Sequence, residues 1–252
     1  MKTKELFSFR FFPSLQNRDE YFEQLLSEEK PLSKSLNLGF FLLIFAFAYG
    51  AAMGSYHSFE QALSAALKVP VLFALSIIIC IPALFIIQYI LGSRLKPVQM
   101  LNIILSGFVL ITAIMVSFIP IVILFLLTGG DYYFLQLLHI AIFILSGIFG
   151  MKHIIDALRY TCENKGIYPK TGVEVAKFWV VILGLVGIQL AWNLRPFTGD
   201  YGKPFALFRE YEGNFYSAII YSFNKLLEDG DTPKKSFNYP QPIKKDSVFL
   251  TP

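Results

Sequence analysis

The sequence predicts an all-α, polytopic transmembrane helix bundle with about five spans. Its mean hydropathy is +0.55 and only 16% of its residues are charged, whereas roughly 25% is usual in soluble proteins. The charges are also clustered: residues 37–67 contain only Glu60, and residues 97–151 contain only Asp131. A soluble helix needs a polar face toward water, but lipid accepts such stretches when each closes its backbone hydrogen bonds as a helix.

Four segments follow one another along the chain. Residues 1–35 form a polar amphipathic segment without the small-residue cleavage site of a signal peptide, so the first hydrophobic helix is expected to be a retained anchor. Residues 36–195 form the transmembrane bundle, and residues 196–229 an ordered capping segment that ends in a short amphipathic helix. Residues 230–252, rich in proline and lysine without periodicity, are expected to be an extended tail.

Five hydrophobic stretches have the length of membrane spans. They are residues 36–53, 69–91, 99–127, 132 to about 150, and 175–194. The fourth continues past Gly150 as a polar helix that is expected to protrude from the membrane. Pro82 and Pro120 lie inside the second and third spans and predict kinks there. Gly50 with Gly54, and Gly184 with Gly187, predict close helix packing.

A polar insert, residues 55–68, separates the first two spans. Phe59, Leu63 and Leu67 fall on one helical face, and polar residues fall largely on the other. This pattern predicts a short helix that lies at the membrane interface or lines a cavity. Pro70 is then expected to open the second span.

The distribution of Lys and Arg predicts the orientation. Residues 1–35 contain six of them, the first connection only Lys68, and the third connection none. The second and fourth connections are again basic. The pattern favours a cytoplasmic N-terminus, although the basic residues of the C-terminal tail argue weakly against the outside location that five spans would give it.

The first candidate site consists of His57, Glu60 and Lys68 in the polar insert. Polar residues at membrane depth are costly, so they are candidates for function. These three could contact a substrate, relay protons or bind a metal. The alternative is that they lie among the lipid headgroups, hydrated or paired with neighbours.

The second candidate site follows the fifth span and consists of Trp192, Asn193, Arg195 and Arg209. Arg195 could extend toward lipid phosphate, with Trp192 as an anchor at the interface. The surrounding mixture of charge, glycine, proline and aromatic residues predicts a compact loop that caps one membrane face. A binding or gating site is the alternative.

No cofactor is predicted, although bound lipid is expected. The nucleotide-binding, metalloprotease and hydrolase motifs of soluble enzymes are absent from the sequence, and an enzyme is the less favoured interpretation. His57 and His139 are only weak candidates for a metal or a haem. Cys80 and Cys162 lack metal-site spacing, and the modest positive charge is typical of membrane proteins and does not indicate nucleic-acid binding.

One resemblance covers most of the chain from Gly54 to Tyr216. Its most specific part is the run RPFTGDYGKPFALFREYEGNFY, residues 195–216. These stretches resemble an uncharacterised bacterial family of multi-span membrane proteins, whose five-helix hydropathy is similar to that of Yip1-type proteins. The resemblance implies the fold outline and a bacterial inner (plasma) membrane, and it carries over no catalytic residue.

Three functions are compatible with the sequence. The favoured one is a non-catalytic membrane subunit or scaffold of a larger complex, whose termini contact other membrane chains. The alternative is an oligomeric channel or transporter, in which Pro82 and Pro120 would allow gating. The third is an intramembrane metal or haem protein that would use His57, Glu60 and His139.

Overall fold

The computed structural model describes residues 18–129, 131–199, 207–208 and 215–228, and all regular structure within them is helical. The helices are α1 (Arg18–Leu26), α2 (Pro31–Gly54), α3 (Phe59–Ile90), α4 (Pro97–Ser117), α5 (Ile119–Leu127), α6 (Tyr132–Glu163), α7 (Lys170–Leu194) and α8 (Phe215–Glu228). The predicted all-α class is confirmed. Arg209 and residues 230–252 lie outside the described residues, as does much of the predicted capping segment.

Within the described residues, five helical stretches are long and apolar enough to cross a membrane, which agrees with the predicted number of spans. They are α2, α3, α4 together with α5, α6, and α7. The third is interrupted at Phe118, two residues before Pro120, where the kink was predicted. By contrast, α3 continues as one helix through Pro82. Membrane helices tolerate an internal proline when the surrounding groups satisfy the freed carbonyl.

The polar insert is not a separate interfacial helix, and this prediction was wrong. Its residues from Phe59 onward form the first turns of α3, and Pro70 lies inside that helix. Ser58 starts the helix by accepting a hydrogen bond from the Gln61 backbone N–H. The polar face of the insert is turned into the bundle, while Phe59 is 84% exposed. That is the arrangement expected in lipid, where polar residues face the bundle interior.

The bundle is centred on α2, which packs against both α3 and α4. Helix α6 packs against α4, and α7 lies at the periphery against α3 and α6. Helix α1 lies across α4 and α6 at one end of the bundle, and α8 packs on α6 at the other. We call these the α1 end, where α2 begins, and the α8 end, where α2 finishes.

Helices α2 and α3 approach each other closely through glycine. A Cβ added to Gly50 would lie 2.4 Å from the Ala65 carbonyl oxygen, and one added to Gly54 would lie 2.4 Å from the Gln61 carbonyl oxygen. The two backbones are therefore in contact at the α8 end. Around Gly184 and Gly187, in contrast, an added Cβ would have no described atom within 4 Å. The predicted close packing at that pair is not made within the described chain.

A second close approach was not predicted. Gly107 of α4 faces Gly150 of α6, and a Cβ on Gly150 would lie 2.7 Å from the Gly107 carbonyl oxygen. Each glycine also receives an isoleucine of the opposite helix, Ile154 on Gly107 and Ile111 on Gly150. This crossing joins the two halves of the bundle.

Candidate functional site

Lys68 binds the segment that follows α7. It lies about 14 Å along α3 from Phe59, the first residue of that helix. The side chain is buried. Its ammonium donates hydrogen bonds to the carbonyl oxygen of Pro196, at 3.0 Å, and to that of Leu207. It also lies 5.0 Å from the centroid of the Phe208 ring, within the range of a cation–π interaction. Carbonyl oxygens and an aromatic face thus replace the water that the cation loses on burial.

Gln61, two turns before Lys68 on α3, binds the same segment. Its amide nitrogen donates to the carbonyl oxygens of Pro196 at 3.0 Å and Phe197 at 2.9 Å. The Pro196 carbonyl therefore accepts from both side chains. We call this group the Lys68 clamp: Gln61 and Lys68 of α3, with the main-chain carbonyls of Pro196, Phe197 and Leu207. It holds non-helical backbone against the bundle, where unsatisfied carbonyls would be costly.

The other residues of the first candidate site are divided by the structure. His57 adjoins the clamp, since a Cβ on Gly199 would lie 2.7 Å from the His57 Cβ. The His57 Nδ1 atom is 3.1 Å from the Ser58 hydroxyl. Glu60 is exposed. Lys68, which is buried, and His57, which is partly buried, thus meet the same segment, whereas Glu60 is directed elsewhere.

The second candidate site lies immediately before the clamped carbonyls. The Arg195 guanidinium stacks on the Trp192 indole, 3.6 Å from the ring centroid. Asn193 is exposed. The structure therefore brings parts of both predicted sites together at the α8 end, as residues on either side of one contact between α3 and the end of α7.

Comparison with protein-family models, curated proteins and solved structures finds no match.

Buried polar side chains elsewhere in the bundle join one helix to another. The His139 Nδ1 atom of α6 is 2.8 Å from the Tyr49 hydroxyl of α2. The His153 Nε2 atom is 3.2 Å from the Ser106 hydroxyl of α4. The structure places His139 and His57 in separate contacts, and the described residues contain no group of three or more His, Cys, Asp or Glu side chains that could hold a metal ion.

Sequence reasoning missed Lys34, because it assigned this residue to the polar N-terminal segment. Helix α2 begins at Pro31, and Lys34 is buried in its first turn. Its ammonium donates to the carbonyl oxygens of Gln24 at 2.6 Å and Ser27 at 2.8 Å, and to the Ser27 hydroxyl at 2.6 Å. Lys34 thus caps the C-terminal end of α1. The signal available in the sequence was Pro31, a residue favoured at the first position of a helix.

Other contacts dock α1 on the bundle. Its Tyr21, Phe22, Leu25 and Leu26 side chains are buried. Three exposed ion pairs flank it: Arg18–Asp156 at 3.0 Å, Lys96–Glu28 at 2.6 Å and Lys165–Glu23 at 2.7 Å. The hydrogen bond from Lys165, together with its charge, lowers the pKa of Glu23. Burial raises the pKa of Tyr21 well above its usual range.

Proposed function

We propose that the chain is a non-catalytic integral membrane subunit or scaffold of a larger bacterial inner-membrane complex. The main observation in support is the Lys68 clamp, in which the buried cation of a membrane helix is bound by carbonyl groups of the same chain. Lys34 is used in the same way at the opposite end. Both cations hold the ends of the bundle in place. A scaffold needs such fixed ends, because partner chains bind best to a surface that does not rearrange.

The proposed location rests on two arguments. The resemblance of residues 54–216 to a bacterial multi-span family favours the inner membrane. The concentration of basic residues on the connections at the α1 end favours a cytoplasmic location for that end. The Lys68 clamp would then face outward, so partner chains outside the membrane would meet the α8 end, and cytoplasmic partners would meet α1.

The test is purification of the full chain from its native membrane after in-membrane cross-linking, in a mild detergent, with quantitative mass spectrometry of what it retains. The proposal expects a different membrane chain at a fixed stoichiometry. Substitution Lys68→Met is expected to lower the retained amount, whereas Lys177→Met, which removes only an exposed ion pair, is expected to leave it unchanged. A chain that purifies alone, or only with copies of itself, would overturn the proposal.

Gated conduction or transport is the second candidate function, and the interruption of the third span at Phe118 favours it. A break next to Pro120 gives this span a point at which its two halves can move relative to each other. Reconstitution of the purified chain into vesicles tests this function. Ion or solute flux above that of protein-free vesicles, changed by Pro120→Ala, would establish it and displace the scaffold, whereas the scaffold predicts no such flux.

A further inference from the structure

Helix α8 combines two different surfaces. Ser222 is buried, with its hydroxyl 3.3 Å from the Gln136 side-chain oxygen of α6. The Tyr221 ring lies 5.9 Å from the Tyr133 ring, also of α6. These contacts attach α8 to the first two turns of α6, and a smaller contact joins it to α7.

The second surface of α8 is apolar and exposed. Tyr216, Ile220 and Phe223 are 53%, 61% and 56% exposed. Their spacing of four and then three residues places them on one face of a helix. At 100° per residue that face points well away from Ser222, so packing on α6 does not cover it. Asn224 is also exposed, and its spacing of four residues from Ile220 places it at the edge of the same face.

The depth of α8 can be estimated from α6. Asp131 caps the start of α6 by accepting a hydrogen bond from the Tyr133 N–H, and a carboxylate in that position marks the aqueous boundary of the span. Gln136, which meets Ser222, lies five residues further, about 7.5 Å along the helix at 1.5 Å per residue. Interfacial helices bury their apolar face about 5–10 Å into the boundary between headgroups and acyl chains.

Tyrosine rings gather at this level. The ring of Tyr132 lies 5.4 Å from that of Tyr133 and 6.1 Å from that of Tyr56, at the end of α2. Tyrosine and tryptophan concentrate at the interfaces between membrane and water because their rings have both an apolar body and a polar group. Tyr221 joins α8 to this cluster through Tyr133, so α8 lies at a level of the bundle that already has the composition of a lipid interface.

We infer that α8 is an interfacial anchor, with Tyr216, Ile220 and Phe223 inserted among the lipid headgroups and upper acyl chains of the membrane that the bundle spans. This inference does not depend on the scaffold function. The lipid covers an apolar face that would otherwise meet water, and it fixes the end of the chain that follows the Lys68 clamp at the membrane surface.

Site-directed spin labelling tests the anchor. The background is the full chain with Cys80→Ala and Cys162→Ala, reconstituted into vesicles of phosphatidylcholine and phosphatidylglycerol. Single cysteines replace Tyr216, Ile220 or Phe223, and the control is a single cysteine in place of Asn164, an exposed polar residue that ends α6 at the opposite end of the bundle. Collision with oxygen, which partitions into lipid, is compared with collision with a water-soluble nickel chelate at each label.

Labels at 216, 220 and 223 are expected to collide with oxygen more often than the label at 164, and with the nickel chelate several-fold less often. Nickel-chelate accessibility at 216, 220 and 223 as high as that at 164 would place α8 in water and overturn the anchor. Low accessibility to both agents at 216, 220 and 223 would mean that protein covers this face, which also overturns it. A circular-dichroism spectrum checks that each variant is folded.

Discussion

Lys34 and Lys68 lie at opposite ends of the bundle, and each is a buried cation bound by main-chain oxygen atoms. The acceptors of Lys34 are the last carbonyl groups of α1, where the helix dipole adds to the attraction. The acceptors of Lys68 lie in the non-helical segment after α7. A buried lysine bound by carbonyl groups thus fixes a helix, α1, at one end of the bundle and irregular backbone at the other end.

The surroundings of the two lysines also differ. The ion pairs within the described part of the chain all lie toward the α1 end. At the α8 end, Lys68 is supported by the Gln61 amide and the Phe208 ring instead. Exposed ion pairs weaken with salt, so the α1 end is expected to respond to ionic conditions, whereas the α8 end should respond mainly to changes in packing and in hydrogen bonding.

The largest effect is expected from Gly50→Val, which breaks the packing that supports the α8 end. The new side chain would meet the backbone of Ala65 and Ala66 at less than 3 Å, and separation of α2 from α3 should lower the free energy of unfolding by about 3 kcal/mol. Equilibrium unfolding in mixed detergent and dodecyl sulfate micelles measures it. Gly187→Val, with no described atom nearby, is the control, and an equal loss in both variants would contradict the assigned contact.

Lys68→Met tests the α8 end directly and should have the next largest effect. The Leu207 carbonyl loses its donor, while Gln61 still donates to Pro196, so a loss of about 2 kcal/mol in the free energy of unfolding is expected. The segment after α7 should also be cleaved faster by added protease. Lys177→Met is the control. Unchanged proteolysis in Lys68→Met would show that Lys68 does not hold the segment after α7.

Lys34→Met is the matching substitution at the α1 end. Without the ammonium, the Gln24 and Ser27 carbonyls at the end of α1 lose a donor, and α1 is expected to undock locally while α3 stays protected. Backbone hydrogen exchange in residues 18–26 should accelerate about tenfold, which corresponds to ~1.4 kcal/mol. Acceleration throughout the bundle would show instead that the two ends unfold together.

The smallest effect is expected from the exposed pair of Glu23 and Lys165. Because the pKa of Glu23 is lowered by Lys165 in the folded chain, its stabilising contribution is present above its ordinary pKa of 4.5 and disappears as the pH falls through the lower folded value. Hydrogen exchange in α1 should therefore quicken in acid and in high salt. Glu23→Gln should remove part of both responses. If hydrogen exchange in α1 of the unmodified chain did not change with salt, this assignment would be refuted.

The sequence predicted the spans because a hydrophobic helix in lipid is determined largely by local composition. It failed at the polar insert for a physical reason. Pro70 and the polar residues of α3 are signals of a boundary in water, but in a membrane the proline is accommodated and the polar face turns inward. Nothing local could reveal that Lys68 and Gln61 would bind Pro196, since the partners are more than 120 residues apart in the chain.

The glycine contacts show the same division. Gly50 and Gly54 were recognised from their spacing on one helix, and their partners lie on the next helix along the chain. Gly107 and Gly150 lie on different helices and show no motif when either is taken alone. Gly184 and Gly187 have a favourable spacing, yet the position of α7 at the periphery leaves them without a described partner helix.

The separation between Lys68 and its acceptors also matters while the chain is being made. Helices α2 and α3 are joined by only residues 55–58, so their hairpin can assemble as soon as it leaves the ribosome. The Pro196 carbonyl is 128 residues behind Lys68, and at about 5–20 residues per second it emerges on the order of 10 s later. During that interval the ammonium needs a hydrated setting, so α3 is expected to stay within the insertion machinery until α7 has been synthesised. The clamp is therefore expected to delay the release of α3 into lipid until the last span has been made.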